Sequence, residues 1–251
     1  MTDDALRLEL MTAPEVRAAI DRGMRRVIIP CGAIEQHGPH LPLCMDADHA
    51  ERLGMLVANR LGDALVAPTI KVGCSSHHLE FAGTISIKNE TYEALCRDYC
   101  VSLARHGFDR ICLFSAHIGN FPVLAEMLPR LQAAVRPDCR VAAFVDSPTW
   151  IAAWRGSVEQ AGGDGEKVGG HADIAETSLM LVLRPESVQT SRMEPGRIGM
   201  LTPNELTLMW QHGLRAMSAN GILGDPRGST REIGERCLEA IADLLGESFS
   251  T

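Results

Sequence analysis

The chain has 251 residues, 45% of them hydrophobic and 22% charged, which is long enough for one domain with a large buried core. Its 24 Lys and Arg residues against 32 Asp and Glu residues give a net charge of -8, and no basic stripe is present that would bind nucleic acid. No apolar run approaches the ~20 residues of a membrane span, and no signal-peptide pattern is seen. We expect a single cytoplasmic domain over residues 1–251.

The eight cysteines agree with a reducing compartment. They are scattered through predicted helices and strands with no Cys-x-x-Cys pair, so most are expected to be small buried hydrophobic residues. Cys31, Cys44 and Cys74 lie near polar loops, where a thiol ligand or nucleophile stays open as an alternative.

Helical and strand patterns alternate along the first part of the chain. Helices are predicted over 13–23, from Asp46 or Asp48 to 61, over 89–107 and over 120–136, and strands over 26–30, 64–68, 110–115 and 140–145. This order predicts an α/β fold, a three-layer sandwich with a mostly parallel central sheet and helices on both faces. Residues 146–170 break the alternation, and their glycines indicate either a mobile lid or a simple surface loop.

The loop after the first strand concentrates side chains that bind metal ions. Glu35 and His37 are two residues apart, so in extended backbone they leave on the same face, and Asp46 can return to them across a proline-containing turn. Function in open α/β sheets usually lies at this carboxyl edge of the strands. These three residues therefore predict the beginning of a metal site.

Two later segments carry further residues of this kind. His117 follows the apolar strand over 110–115 at the same kind of strand-to-helix junction. His171 stands just before an amphipathic stretch that contains Glu176. With Glu35, His37 and Asp46, five side chains able to bind metal thus come from three separate segments, with His171 beside them.

The order and spacing of several motifs over nearly the whole chain resemble the creatininase (creatinine amidohydrolase) family. The resemblance implies a three-layer α/β fold, a centre of two divalent metal ions (zinc, manganese or iron) and a homohexamer built as a trimer of dimers. The motifs that carry it are Glu35-Gln36-His37-Gly38-Pro39-His40-Leu41-Pro42 with Asp46, Phe81-Ala82-Gly83-Thr84, Ser115-Ala116-His117-Ile118-Gly119-Asn120, His171-Ala172 with Glu176-Thr177-Ser178, and Gly224-Asp225-Pro226.

The resemblance also assigns roles to the candidate residues. Asp46 would bridge both ions, with Glu35 and His117 completing one and His37 and Glu176 the other. A water shared by the two cations would become the nucleophile, since two cations lower its pKa. His171 matches the family histidine that carries a proton to the leaving nitrogen.

The chain departs from creatininase itself at two positions. Creatininase has a metal-binding glutamate where Gly119 stands, and Glu176 is the obvious replacement. It also has a tryptophan that closes over the flat substrate where Lys167 stands, which argues against creatinine as the substrate.

Further contacts are predicted around the centre. Ser75 and His78 lie in a loop that contacts substrate in relatives, and His40 is expected either to fix a metal-binding carboxylate or to be a simple loop histidine. Trp150 is expected either to line a substrate pocket or to fill the core. Asp173 is expected either to face the site or to lie at a helix N-terminus in solvent.

These patterns predict a metal-dependent hydrolase that cleaves a carbon–nitrogen bond in a small cyclic amide, amidine or formamide. The alternatives are ring opening of a keto-inositol, a peptidase of the same family, and a non-catalytic metal-binding protein. The apolar run over 201–210 either contacts another subunit or packs internally.

Overall fold

The computed structural model describes residues 3–199 and 201–250. Its main sheet is built from β1 (Arg26–Cys31), β2 (Ala64–Val66), β3 (Arg110–Ser115) and β4 (Arg140–Ala143). All pairings are parallel and the strand order is β2-β1-β3-β4. All six residues of β1 are buried, which explains why residues 27–31 form a continuous apolar run rather than an alternation.

Helices cover both faces of this sheet. Because the chain steps one way from β1 to β2 and the opposite way to β3 and β4, right-handed crossovers place α2 on one face and α3 and α4 on the other. Contacts of α2 with α8 and of α3 with α4 agree with this arrangement and confirm the predicted three-layer fold. The helices are α1 (Ala13–Asp21), α2 (Met45–Leu61), α3 (Asn89–His106), α4 (Phe121–Ala134), α5 (Ser147–Gln160), α6 (Ile174–Leu183), α7 (Pro203–His212) and α8 (Arg231–Phe249).

The position of the site follows from the strand order. The crossovers reverse direction between β1 and β3, which opens a crevice at the carboxyl ends of these two central strands. The chain that leaves β1 carries Glu35 and His37, and the chain that leaves β3 carries His117. The sheet itself therefore brings together two segments that are about eighty residues apart in the sequence.

Residues 146–170 differ from the predicted lid or surface loop. Asp146 accepts a hydrogen bond from the backbone nitrogen of Thr149 and begins α5, which packs against α8. The glycines that suggested mobility come after this helix, where β5 (Val168–His171) pairs antiparallel with β6 (Leu223–Gly224). The error arose because the glycine signal belongs only to the end of the segment.

No helix in the described ranges 3–199 and 201–250 combines the length and the apolar character that crossing a membrane requires.

Candidate metal centre

The five predicted ligands lie together in the crevice, and Asp46 is at their middle. Its Oδ1 is 3.4 Å from His37 Nε2, and its Oδ2 is 3.5 Å from His117 Nδ1. Glu35 Oε1 lies 3.3 Å from His117 Nδ1, and Glu176 Oε2 lies 3.6 Å from His37 Nε2. Each oxygen of Asp46 thus faces one histidine, and each of these histidines also faces a second carboxylate, from Glu176 or from Glu35. This is the arrangement expected of a bridging carboxylate between two cations.

The outer nitrogens of the two histidines fix their tautomers. His37 Nδ1 lies 3.1 Å from the backbone oxygen of Glu35, and His117 Nε2 lies 3.2 Å from that of Cys74. A carbonyl oxygen only accepts, so each outer nitrogen must carry the proton. With a metal ion bound in place of a second proton, the inner nitrogens, which face the carboxylates, would offer their lone pairs to it. Metal-binding histidines are oriented in this way by their outer hydrogen bond.

Several inward atoms have no hydrogen-bond partner although they are buried. These atoms are both carboxylate oxygens of Glu35, Nε2 of His37 and Oδ2 of Asp46. Unpaired buried polar atoms are costly and need an explanation. Imidazole nitrogens and carboxylate oxygens converge within 4.8 Å in three groups: Glu35, Asp46 and His117; His37, His171 and Glu176; and Glu35, His78 and His171. The donor set fits divalent cations with mixed nitrogen and oxygen ligands.

The electrostatics point the same way. Burial disfavours a charged imidazole, yet Asp46 and Glu176 raise the pKa of His37 to about 10. For His117, Glu35 and Asp46 overcome the same burial and raise the pKa to about 9. The carboxylates therefore stabilise a positive charge at or near the inner nitrogens of these histidines. A divalent cation bound between the histidines and the carboxylates would supply this positive charge in place of the protons.

Gln36, which the sequence analysis did not single out, forms hydrogen bonds with His78 through its side chain and with His171 through its backbone oxygen. Its Oε1 accepts a hydrogen bond of 2.9 Å from the backbone nitrogen of Gly38, which fixes the orientation of the amide. The Nε2 group then donates to the Gly221 carbonyl oxygen at 3.0 Å and to His78 Nδ1 at 2.9 Å. His78 Nε2 consequently carries the proton and lies 3.3 Å from Glu35 Oε1. The only available signal was the position of Gln36 between two ligands.

His171 lies beside the centre with one nitrogen directed into it. Its Nε2 is 2.9 Å from the backbone oxygen of Gln36, so this nitrogen donates and Nδ1 is left unprotonated. Nδ1 is 3.7 Å from Glu35 Oε1. Burial and the nearby His37 and His78 hold the pKa of His171 well below its usual value. The geometry allows two roles, a proton carrier or a ligand in the group with His37 and Glu176.

The glycine at the position of the creatininase glutamate is required by the packing of His117. A Cβ atom on Gly119 would stand 2.3 Å from His117 Nε2 and 2.9 Å from His77 Cε1, distances that real Cβ atoms do not show. A larger residue therefore needs His117 to move. Glu176 supplies the carboxylate near His37 instead.

We expect Gly119→Ala to lower metal affinity and activity by about 10- to 100-fold, because it displaces the His117 ring from Glu35. Metal titration and steady-state rates measure the effect. Gly156→Ala is the matched control: nothing lies within 4 Å of a Cβ at this helical position, so it should stabilise the fold by about 0.5–1 kcal/mol. Equal metal affinity in the Gly119→Ala variant and the native protein would contradict the steric argument.

A cavity of about 200 Å³ opens over the cluster. Its lining includes His78, but neither Ser75 nor Trp150. Trp150 is fully buried against Trp154 and Phe144, which makes it a core residue. Ser75 is also fully buried, and its backbone nitrogen donates to Ser86 Oγ. The predicted substrate contacts of Ser75 and Trp150 therefore have no support in the geometry.

Asp173 is neither at the cavity nor in solvent. It is fully buried, and its Oδ2 accepts from the backbone nitrogens of Gly169 and Gly170, while its Oδ1 accepts from those of Ala175 and Glu176. As the N-cap of α6 it ties β5 to the beginning of this helix. Asp173 thus positions the segment that carries the site and leaves no oxygen for substrate.

His40 contacts a different group from the one predicted. Its Nε2 lies 2.8 Å from the hydroxyl of Thr177, the residue after Glu176, and makes no hydrogen bond to a carboxylate of the cluster. Burial lowers the pKa of His40 to about 4, so the ring is neutral. Its contact supports the first turn of α6.

One wall of the cavity was not predicted. It is apolar and is formed by α7 and the residues next to it, namely Leu201, Leu206, Met209, Trp210 and Leu214. Residues 206, 209 and 210 have the spacing that places side chains on one face of a helix. The apolar run in the sequence shows this spacing, but it does not show which surface the apolar face of the helix contacts. Lys167, which stands at the position of the creatininase tryptophan, does not line the cavity. Its amino group donates to the backbone oxygen of Arg227 instead.

Comparisons with known proteins agree with this geometry. The family model for creatininase (creatinine amidohydrolase) matches residues 9–249. The chain is 35% identical to a mycofactocin precursor peptide peptidase of Mycobacterium ulcerans (strain Agy99), over 86% of this chain and 81% of the relative. It is 29% identical to a creatinine amidohydrolase of Pseudomonas putida, over 95% of both chains.

Solved structures show the same similarity. A crystal structure of creatinine amidohydrolase superposes with a TM-score of 0.80 at 27% identity and covers 98% of both chains. A zinc–zinc form of a mutant creatininase and a manganese form of creatininase each give a TM-score of 0.76 at 28% identity, over 98% of this chain and 99% of theirs.

Proposed function

Because the chain belongs to the creatininase family, we propose that it is a metal-dependent hydrolase that cleaves the carbon–nitrogen bond of an amide. The observation that carries this proposal is the placement of Asp46 between His37 and His117, with Glu176 and Glu35 completing the two groups. A buried cluster of this kind has no evident structural use, since its inward atoms are left without partners.

In this proposal Glu35, Asp46 and His117 hold one divalent ion, and Asp46, His37 and Glu176 hold the other. Zinc is the first metal that we propose, with manganese or iron as alternatives. Mixed imidazole and carboxylate ligands suit all three, and related structures contain zinc or manganese. When bound, two such cations supply Lewis acidity and a water activated at neutral pH.

The remaining residues act around this centre. His171 is proposed to carry a proton at Nδ1 between the attacking water and the leaving nitrogen, because its Nε2 is held by the Gln36 carbonyl oxygen. His78, whose protonated Nε2 lies 3.3 Å from Glu35 Oε1, is proposed to help orient that carboxylate.

The bond proposed is that of a small cyclic amide, amidine or formamide, and a peptide bond is the second candidate. The peptide alternative is favoured by the 35% identity to a peptide-processing relative. It is also favoured because Lys167 replaces the creatininase tryptophan and does not line the cavity, so no aromatic ring at this position closes over a small flat substrate. Ring opening of a keto-inositol stays a prediction that no contact favours. A homohexamer and a cytoplasmic location are likewise proposals.

Removal of metal by a chelator should abolish hydrolysis of amides, and addition of zinc or manganese should restore it. The assay panel is creatinine, followed by formation of creatine, and an N-formyl amino acid amide and a short peptide, each followed by release of the amine. Circular dichroism before and after chelation controls for unfolding. Full turnover by protein shown to contain no metal would refute the mechanism.

A further inference from the structure

We propose that the substrate carries an uncharged apolar group of aromatic size next to its scissile amide, and that α7 holds this group through Trp210. This inference rests on the proposed amide hydrolysis and adds the class of substrate. It goes beyond the metal centre, because α7 contributes none of the candidate ligands.

The cavity has two chemically different sides. Its floor contains the carboxylates and imidazoles of the metal centre, and its wall contains the side chains of Leu206, Met209 and Trp210. Among the described residues that line it, none is Lys or Arg, and Ser147 is the one hydroxyl. An anionic substrate would find no cation there apart from the metals, and a polyhydroxyl substrate would leave most of its hydroxyls unpaired. A neutral apolar group fits this wall.

Trp210 reaches the metal centre through a single imidazole. Its indole packs on the ring of His77 at 4.4 Å between centroids, and His77 in turn stacks over His117 at 5.7 Å with the planes 13° apart. Trp210 and His117 are thus two ring contacts apart and line the same cavity, so a group that fills the cavity between them and touches the indole lies close to the centre. This distance suits a substituent directly attached to the reacting amide rather than a remote one.

The wall is anchored at its beginning. Thr202 and Glu205 form a capping box at the N-terminus of α7, and the Arg197 guanidinium binds both carboxylate oxygens of Glu205. The helix is consequently positioned before substrate arrives. An ordered apolar surface loses little entropy when a ligand packs on it.

Within residues 3–199 and 201–250, this surface stays partly open. Trp210 is 46% exposed and Leu206 is 40% exposed, although both line the cavity. Exposed apolar side chains that adjoin a site mark a binding surface for apolar groups. Because this surface lines the same cavity as the candidate ligands, substrate is the occupant that we assign, and a second copy of the chain on α7 is the alternative outcome of the test.

The test compares two amides that differ by one benzyl group, N-formylphenylalaninamide and N-formylglycinamide. With the metal-loaded native protein, the benzyl amide should have a kcat/KM about 10- to 100-fold higher, as expected for burial of an aromatic group. Trp210→Ala should remove most of this preference, whereas Trp210→Phe should keep most of it. Leu208→Ala is the matched control, since Leu208 is exposed on the same helix but does not line the cavity.

Equal kcat/KM for the two amides, or a preference that survives in Trp210→Ala, would overturn the inference. The same holds if Trp210→Ala changes only the oligomeric state in size-exclusion chromatography, because a second copy would then be the occupant. Calorimetry separates this inference from the proposed function: selective binding of the benzyl amide without turnover would support the apolar site and contradict amide hydrolysis.

Discussion

Replacing Asp46 with asparagine is expected to lower activity by about 10³-fold or more and to remove most of the bound metal. Asp46 faces both histidines with its two oxygens, and an amide offers one neutral oxygen in place of a bridging carboxylate. Loss of transition-state stabilisation of ~4 kcal/mol corresponds to this factor. Metal analysis of the purified variant and steady-state rates measure both effects.

The stability of the metal-free variant adds a second readout. Burial and the nearby Glu35 raise the pKa of Asp46, so its charge is disfavoured when no cation is bound. Without metal, Asp46→Asn should therefore be as stable as the native protein or more so, in contrast to a residue whose role is structural. Thermal unfolding in the presence of a chelator tests this expectation.

Asp48→Asn is the matched control for that variant. Asp48 lies on the same helix, but its carboxylate pairs with Arg184 outside the centre. It should keep its metal and its activity, because a partly exposed ion pair contributes little. Full metal occupancy and activity in Asp46→Asn would show that the cluster does not bind metal as proposed.

His171→Asn is expected to lower kcat by about 10²- to 10⁴-fold while metal content stays unchanged. The range is that of a lost general acid or base, and the reason is that Nδ1 of His171 is unprotonated and directed to the centre. KM should change little, since the apolar wall of the cavity is untouched. Metal analysis together with separate kcat and KM values tests the role.

Metal content distinguishes the two roles that the geometry allows for His171. Loss of one metal equivalent in His171→Asn would make this residue a ligand in the group with His37 and Glu176 instead of a proton carrier. His212→Asn is the control, because His212 is an exposed residue at the end of α7. A rate in His171→Asn within ~3-fold of the native rate would contradict both roles.

Local patterns were sufficient for the main sheet and for the candidate ligands. Apolar runs between glycine-containing turns marked β1 and β3, whose bounds differ from the prediction by one residue at most. Glu35, His37 and His117 were recognisable because they directly follow these strands, and parallel strands bring their carboxyl ends to one edge. For this part of the site, sequence adjacency to a strand determines position in space.

Other features depend on contacts between distant segments. The backbone oxygen of Gln36 accepts from His171 and its side chain donates to Gly221, which are 135 and 185 residues away, and no periodicity records such contacts. Trp150 and Asp173 have residue types that suit a binding site, yet the packing of α5 and α6 places one in the core and the other at a helix N-cap.

The sequence by itself determined the family, the layered sheet and the set of metal-binding residue types, because these are written in runs and spacings of a few residues. Only the tertiary structure decided the partner of each nitrogen, the use of α7 as a cavity wall and the burial of α5. These depend on how helices close over the sheet. A helix whose apolar face is visible in the sequence does not reveal which surface that face will meet.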